Sequence, residues 1–148
     1  MGYGMWMRKC SFVMKEKNHQ KALEAIKSLA GQETITFDSG PPHFSWVDTE
    51  RFLKAQHIED ALHEWRWEAE FGDNGDIVSI DFIGEKLGDC NIMFNAVAPY
   101  VEEESFIEMC GEDGYVWRWV FTNGVVKEWV GRTVFDDSST STKIEEEE

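Results

Sequence analysis

Apolar residues recur along this chain in two periods. A run from Tyr3 to Val13, rich in Met and aromatics, predicts a strand. Asn18 is placed to cap a helix on which Ala22, Leu23, Ile26, Leu29 and Ala30 share one face. Lys21, Glu24, Lys27 and Ser28 take the other side, and Gly31 supplies a stop. From Trp65 the period becomes two: Trp65, Trp67, Ala69 and Phe71 alternate with Arg66, Glu68 and Glu70. Gly72-Asp73-Asn74-Gly75 predicts a turn, after which Val78, Ile80 and Phe82 form the apolar side of a returning strand. Gly84 to Gly88 reads as a loop. Asp89 then precedes a helix with a stripe of Ile92, Met93, Ala96, Val97 and Tyr100, ended by Pro99. Three strands come last, Ser105 to Cys110, Tyr115 to Thr122 and Val125 to Val134. The first turn between them is Gly111-Glu112-Asp113-Gly114, and the second is Asn123-Gly124, a pair suited to a turn that needs positive φ twice.

The stretch between these blocks is less regular. Residues 31–64 read as an irregular, partly helical insertion, with a short strand at Thr34 to Phe37 and a rigid turn at Ser39-Gly40-Pro41-Pro42. Asp48 resembles the cap of a short helix through Lys54, and a second short helix runs from Ile58 to Glu64. The resulting order contains βαββαβ. This predicts an α+β domain over residues 1–135, with an antiparallel sheet, helices on one face, a ferredoxin-like core and a C-terminal hairpin extension. Residues 136–148, rich in Ser, Thr, Asp and Glu, read as a mobile acidic tail.

Charge changes this picture. The 148 residues hold 14 basic and 29 acidic side chains, a net of −15. Residues 1–57 are near neutral at +2, residues 58–148 carry −17, and the last 13 residues account for −5. Such a chain is not expected to grip nucleic acid directly, which needs a basic face. No run approaches the roughly 20 apolar residues of a membrane span. Arg8 and Lys9 are not followed by the apolar run of a signal peptide, so a cytoplasmic protein is expected. Cys10, Cys90 and Cys110 are odd in number, lie far apart and sit among apolar neighbours, which predicts buried free thiols.

Motifs for chemistry are sparse. There is no GxxxxGK[ST], no GxGxxG after a strand and no GxSxG, and no cofactor is expected. His19, His43, His57 and His63 do not converge as metal ligands: His57 and His63 are six residues apart, about 120° off one helical face. Asp73-Asn74-Gly75-Asp76 has calcium-like residue types but lacks the loop length of a calcium site. Glu102, Glu103, Glu104, Glu108, Glu112 and Asp113 form a stretch without a single base. Such carboxylates support acid–base chemistry only in a cleft that shifts one of them.

Trp-Arg-Trp occurs twice, at 65–67 and 117–119, each time before an Asn-Gly turn. Core packing is the expected role of Trp65, Trp67, Trp117 and Trp119. The alternative is a stacking platform for a small molecule or nucleotide. Arg66 and Arg118 are expected to pair with Glu68, Glu70 and Glu128. His43 and Trp46, beside the two prolines, are a separate candidate contact loop.

Four stretches stand out together: Ala61-Leu62 leading into Glu64-Trp65-Arg66-Trp67, Gly84-Glu85-Lys86-Leu87-Gly88-Asp89, Ala98-Pro99-Tyr100-Val101-Glu102, and Gly111-Glu112-Asp113-Gly114 continuing to Trp117-Arg118-Trp119-Val120-Phe121. With them the chain resembles a family of short uncharacterised α+β proteins associated with phages, prophages and related bacterial genomes. None of the four stretches is a catalytic signature, so the resemblance implies a context and no activity. The function expected first is a non-enzymatic acidic interaction protein, in its sharp form a phage-encoded inhibitor or an immunity-type protein. It would bind a protein partner, one that itself binds nucleic acid for instance, through the Glu102–Asp113 carboxylates. A ligand-binding protein using the aromatic set is the alternative, and a carboxylate-dependent hydrolase the third expectation.

Overall fold

The opening strand forms β1 (Met5–Ser11), and a single 3-10 turn (Glu16–Asn18) leads into α1 (His19–Lys27). The structure is a computed structural model that describes residues 2–32, 44–135 and 140–146, the segments 132–135 and 140–146 as backbone only. The expected strand at Thr34 to Phe37, the diproline turn and His43 lie outside the described residues. Asn18 occupies the cap position of α1 without a side-chain cap bond, and Ala22, Leu23 and Ile26 form the buried face. Gly31 follows with φ of +93°.

The insertion supplies α2 (Thr49–Leu53) and α3 (Ile58–Glu64). Asp48 caps α2 as its residue type suggests, its carboxylate accepting the Arg51 N–H at 3.3 Å. The hairpin of β2 (Trp67–Phe71) and β3 (Ile77–Phe82) comes next, then α4 (Cys90–Val97) with a 3-10 turn at Ala98–Tyr100. The remaining strands are β4 (Phe106–Gly111), β5 (Val116–Thr122), β6 (Val125–Phe135) and β7 (Thr140–Glu146). Asn123 and Gly124 have φ of 53° and 75°, the double positive φ required by the tight β5–β6 turn.

All strand pairings are antiparallel, and the chain is α+β. The single sheet expected from sequence is divided into a five-stranded sheet, β1-β4-β5-β6-β7, and the separate pair β2-β3. The two meet along β1, which β3 and the following loop approach through isolated bridges at Met14–Ile77 and Gly4–Lys86. Thr140–Glu146, expected within a mobile tail, pair with β6 as a seventh strand. Thr and Ile there favour strand, and β6 offers them an open edge.

Three local expectations are corrected. Trp65 and Arg66 are not on a strand: Trp65 closes α3, and Arg66 turns the chain with φ of +75°. Period two also fails across the first hairpin, because the register shifts between Glu70 and Phe71. One extra residue on β3 reassigns its faces, so Ile77 and Ile80 are buried while Val78 is exposed; Phe71, opposite Ile77 at the end of β2, is exposed as well. The ion pairs differ as well. Arg118 pairs with Glu108 on β4 at 2.6 Å, while Arg66 donates to the Lys86 carbonyl at 2.6 Å and to Cys90 Sγ.

The core lies between the helices and the inward faces of both sheets. Phe94 of α4 is its centre, with ring centroids 5.1 Å from Trp67, 5.2 Å from Trp119 and 5.8 Å from Phe121. The expected α4 stripe omitted Phe94 and included Ile92, Ala96 and Tyr100, which are half-buried.

Candidate functional site

The six carboxylates singled out in the sequence do not form one face. Strand β4 separates them: Glu102, Glu103 and Glu104 precede it, Glu112 and Asp113 follow it, and six extended residues span about 20 Å. Glu103 is tied to the β5–β6 turn, accepting from Thr122 Oγ1 at 2.7 Å and the Asn123 N–H at 2.8 Å. Those bonds, the Thr122 hydroxyl first, hold its carboxyl below the usual range. Glu108 in the middle is 4% exposed, held by Arg118 and, at 3.6 Å, by Arg8. Glu104 lines a shallow cleft with Phe106, Arg118, Val120 and Trp129, which brings it no second carboxylate.

The aromatic candidates divide differently. Trp65 and Trp67 are fully buried; Trp65 packs against Phe44 and Phe52 at centroid distances of 4.9 and 5.7 Å. Trp117 and Trp119 are also core residues, yet both reach the wall of a cavity of about 270 Å³ between β5, β6 and the start of α4. Tyr3, Tyr115, Leu87, Gly88, Asn91 and Glu128 complete that wall.

The cleft is built from three elements. Strand β5 alternates so that Trp117 and Trp119 point toward the helices, and their rings stand 5.9 Å apart at 81°. Tyr115 stacks on Trp117 at 5.8 Å and 27°, and Tyr3 approaches Trp117 at 6.4 Å. Tyr3 is held in place by a hydrogen bond from its hydroxyl to Asp113, which also accepts the Tyr115 N–H at 3.0 Å. Burial, and then that bond, push the Tyr3 phenol up to about 12, while the same bond holds the Asp113 carboxyl below its usual range. Room for Tyr3 comes from Gly111, where a Cβ would overlap the phenol oxygen.

The opposite wall, Leu87–Gly88 and Asn91, is braced from behind. Trp46 and Arg66, both non-glycine residues at positive φ, close on Gly88. A Cβ on Gly88 would lie 2.5 Å from Arg66 Nη2, 2.7 Å from the Ser45 carbonyl and 3.0 Å from the Trp46 ring. Trp46 Nε1 donates to the Leu87 carbonyl at 3.3 Å, and Asp89, expected to cap α4, instead accepts the Ser45 N–H at 2.7 Å. Each left-handed residue costs on the order of 1–3 kcal/mol, and such strain persists only where the surrounding structure fixes it.

Other candidate chemistry is dispersed. His19 meets the Met14 carbonyl at 3.0 Å, and His57 and His63 are exposed on different parts of the helical layer. Among the described residues no group of three or more His, Cys, Asp or Glu is placed to hold a metal ion. All three cysteines are free; Cys90 is buried, whereas Cys10 and Cys110 are half-buried. Desolvation pushes the Cys90 thiol up, against the opposing charge of Arg66. No described helix is long and apolar enough to cross a membrane. No family model, curated protein or solved structure matches this chain.

Six cleft residues were outside every sequence-based candidate set: Tyr3, Leu87, Gly88, Asn91, Tyr115 and Glu128. Tyr115 alone left a trace, since Tyr115-x-Trp117-x-Trp119 continues the alternation by one step. The other five reach the cleft by tertiary packing. Chemically, the arrangement offers ring surface for a flat or compact apolar body and polar groups at its margin. That is the usual make-up of a small-ligand site, although its volume is just below the common lower limit of about 300 Å³.

Proposed function

We propose that this chain is a small-ligand-binding protein and that the Tyr3–Tyr115–Trp117–Trp119 cleft is its site. The observation that carries the reading is one cavity walled by four aromatic side chains and braced by two strained residues. Among the described residues no basic side chain lines it, and the reading favours a ligand without the phosphates of a nucleotide. The finer topology belongs to the same proposal. If β3 is counted beside β1 through the Met14–Ile77 bridge, with the loop after β3 bridging at Gly4–Lys86, the strands follow β4-β1-β3-β2, the order of a ferredoxin-like sheet, with β5, β6 and β7 added beyond β4.

Intrinsic tryptophan fluorescence tests the assignment, because Trp117 and Trp119 sit in the wall. Titration with a panel of uncharged aromatics, nucleobases, organic amines and organic acids is expected to give a saturable change with at least one member. Tyr115→Ala is expected to weaken that binding. Flat titrations throughout, or binding indifferent to Tyr115→Ala, reject the site.

A second proposal keeps the acidic interaction protein, in its inhibitor or immunity-type form and acting in the cytoplasm. Its support is the exposure of Glu102, Glu103, Glu104, Glu112 and Asp113. It is recast as two acidic ends rather than one face. Affinity for a captured partner should then fall as salt rises, and an affinity that ignores salt removes it.

A further inference from the structure

Resting on the ligand-binding reading, we propose that the Tyr3 side chain is the gate of the aromatic cleft, latched shut by Asp113 and swung aside as a ligand enters or leaves. The cleft as it stands is nearly closed. Trp117 and Trp119 reach its wall, yet they are only 4% and 2% exposed. A ligand lying against these rings needs more of their surface than that, and the volume of about 270 Å³ falls short of the common range as well. Some part of the wall must therefore move.

Tyr3 combines a fixed backbone with a loosely held ring. On one side the Leu87 N–H donates to the Tyr3 carbonyl at 2.7 Å and the Met5 N–H to the Glu85 carbonyl at 3.0 Å. On the other the Glu112 N–H donates to the Gly4 carbonyl at 2.9 Å. These bonds join the Leu87–Gly88 wall to the Gly111–Gly114 turn, so the segment stays in place while the side chain turns about its own bonds. The Tyr3 ring is tilted 41° to Trp117 with centroids 6.4 Å apart, a looser contact than the stack of Tyr115 on Trp117 at 27° and 5.8 Å. Its hydroxyl donates to Asp113 in an exposed position, where water can replace either partner. Asp113 keeps its place when that bond opens, because it also accepts the Tyr115 N–H at 3.0 Å. Gly111 leaves beneath the phenol the space that the ring needs to shut. Rotamer changes of accessible side chains take nanoseconds or less, so the latch sets the fraction of time the gate is open rather than the speed of its swing.

The test uses the full chain labelled with 5-fluorotryptophan, with the Trp117 fluorine resonance assigned through Trp117→Phe. Broadening of that resonance by a dissolved nitroxide reports access to the ring without any ligand. Tyr3→Phe keeps the ring and removes the latch, and is expected to raise access by about three- to tenfold, the weight of one such hydrogen bond. Asp113→Asn should act in the same direction, less strongly. Access unchanged in Tyr3→Phe overturns the gate. Stopped-flow fluorescence with a panel member that binds gives a second reading. A latch closed both before and after binding makes Tyr3→Phe speed association and dissociation together, by a similar factor, with the affinity altered much less. Faster dissociation with association unchanged overturns the gate and leaves Tyr3 a fixed wall contact. A panel in which nothing binds removes the ligand-binding reading, whereas the gate is still decided by the access of Trp117.

Discussion

Arg118 and Glu108 face each other across β4 and β5, with Nη2 2.6 Å from Oε1, and the carboxylate is almost wholly buried. The Arg118 guanidinium also lies 4.2 Å over the Phe106 ring. Removing one partner leaves a buried charge that cannot recover its water. Arg118→Ala is expected to destabilise the fold by about 3 kcal/mol in urea titrations, eased somewhat by Arg8. The double variant Glu108→Leu with Arg118→Met should recover most of that loss. A single Arg118→Ala cost below about 1 kcal/mol would show that the pair is solvated in solution.

Tyr3 and Asp113 give a pH dependence at both ends. The Tyr3 phenol is raised, so its contribution to stability is complete below pH 10, the ordinary tyrosine range, and is lost as pH rises through about 12. The Asp113 carboxyl is lowered, so its contribution is present above about pH 4 and is lost as pH falls through its folded value. Ultraviolet difference titration should show one late-titrating tyrosine that disappears in Tyr3→Phe. Asp113→Asn should bring that titration back toward the ordinary range. Three tyrosines titrating together near pH 10 would contradict the bond.

Gly111→Ala probes the same corner sterically. A methyl group there occupies the position of the Tyr3 hydroxyl, so the ring must swing away from Asp113. Because the displaced atom is the far end of a side chain, the expected cost is only about 1 kcal/mol, at the low end of overpacking. Ligand affinity should nevertheless drop, since Tyr3 is part of the wall. Thermal melting and the fluorescence titration, read together, distinguish this from general unfolding. Unchanged binding would mean that Tyr3 does not shape the site.

Phe94 is the clearest core position. It is fully buried among Trp67, Trp119 and Phe121, three rings drawn from two different sheets. Phe94→Ala is expected to cost about 3–5 kcal/mol, while Phe94→Leu should cost appreciably less. Denaturant midpoints check both. Equal, small losses would mean that the two sheets do not share one core.

Local physics made much of this architecture legible in one dimension. Asn123-Gly124, Asp48, the Ile58–Glu64 helix and the alternation of β5 each follow from conformational preference or residue period, and each appears where the chain predicts it. The exceptions are places where an adjoining turn or a distant partner overrode a local preference. Asn18 and Asp89 are good capping types, yet neither caps its helix; Asp89 is drawn instead to the Ser45 N–H. Trp65 continues an alternating pattern but belongs to the end of α3, where it packs against Phe44 and Phe52.

The sequence alone determined the types of the elements before β7, the inward rank of Trp67, Trp117 and Trp119, and the total charge. All of these depend on neighbours within a few residues or on simple addition. Only the tertiary structure decided the division into two sheets, the neutralisation of Glu108 and the meeting of Tyr3 with Gly111 and Asp113. It also decided that the acidic stretch splits to opposite ends of β4. Each of those depends on register and on approaches across a hundred residues, and a strand carries adjacent charges apart at about 3.3 Å per step whatever their proximity in sequence.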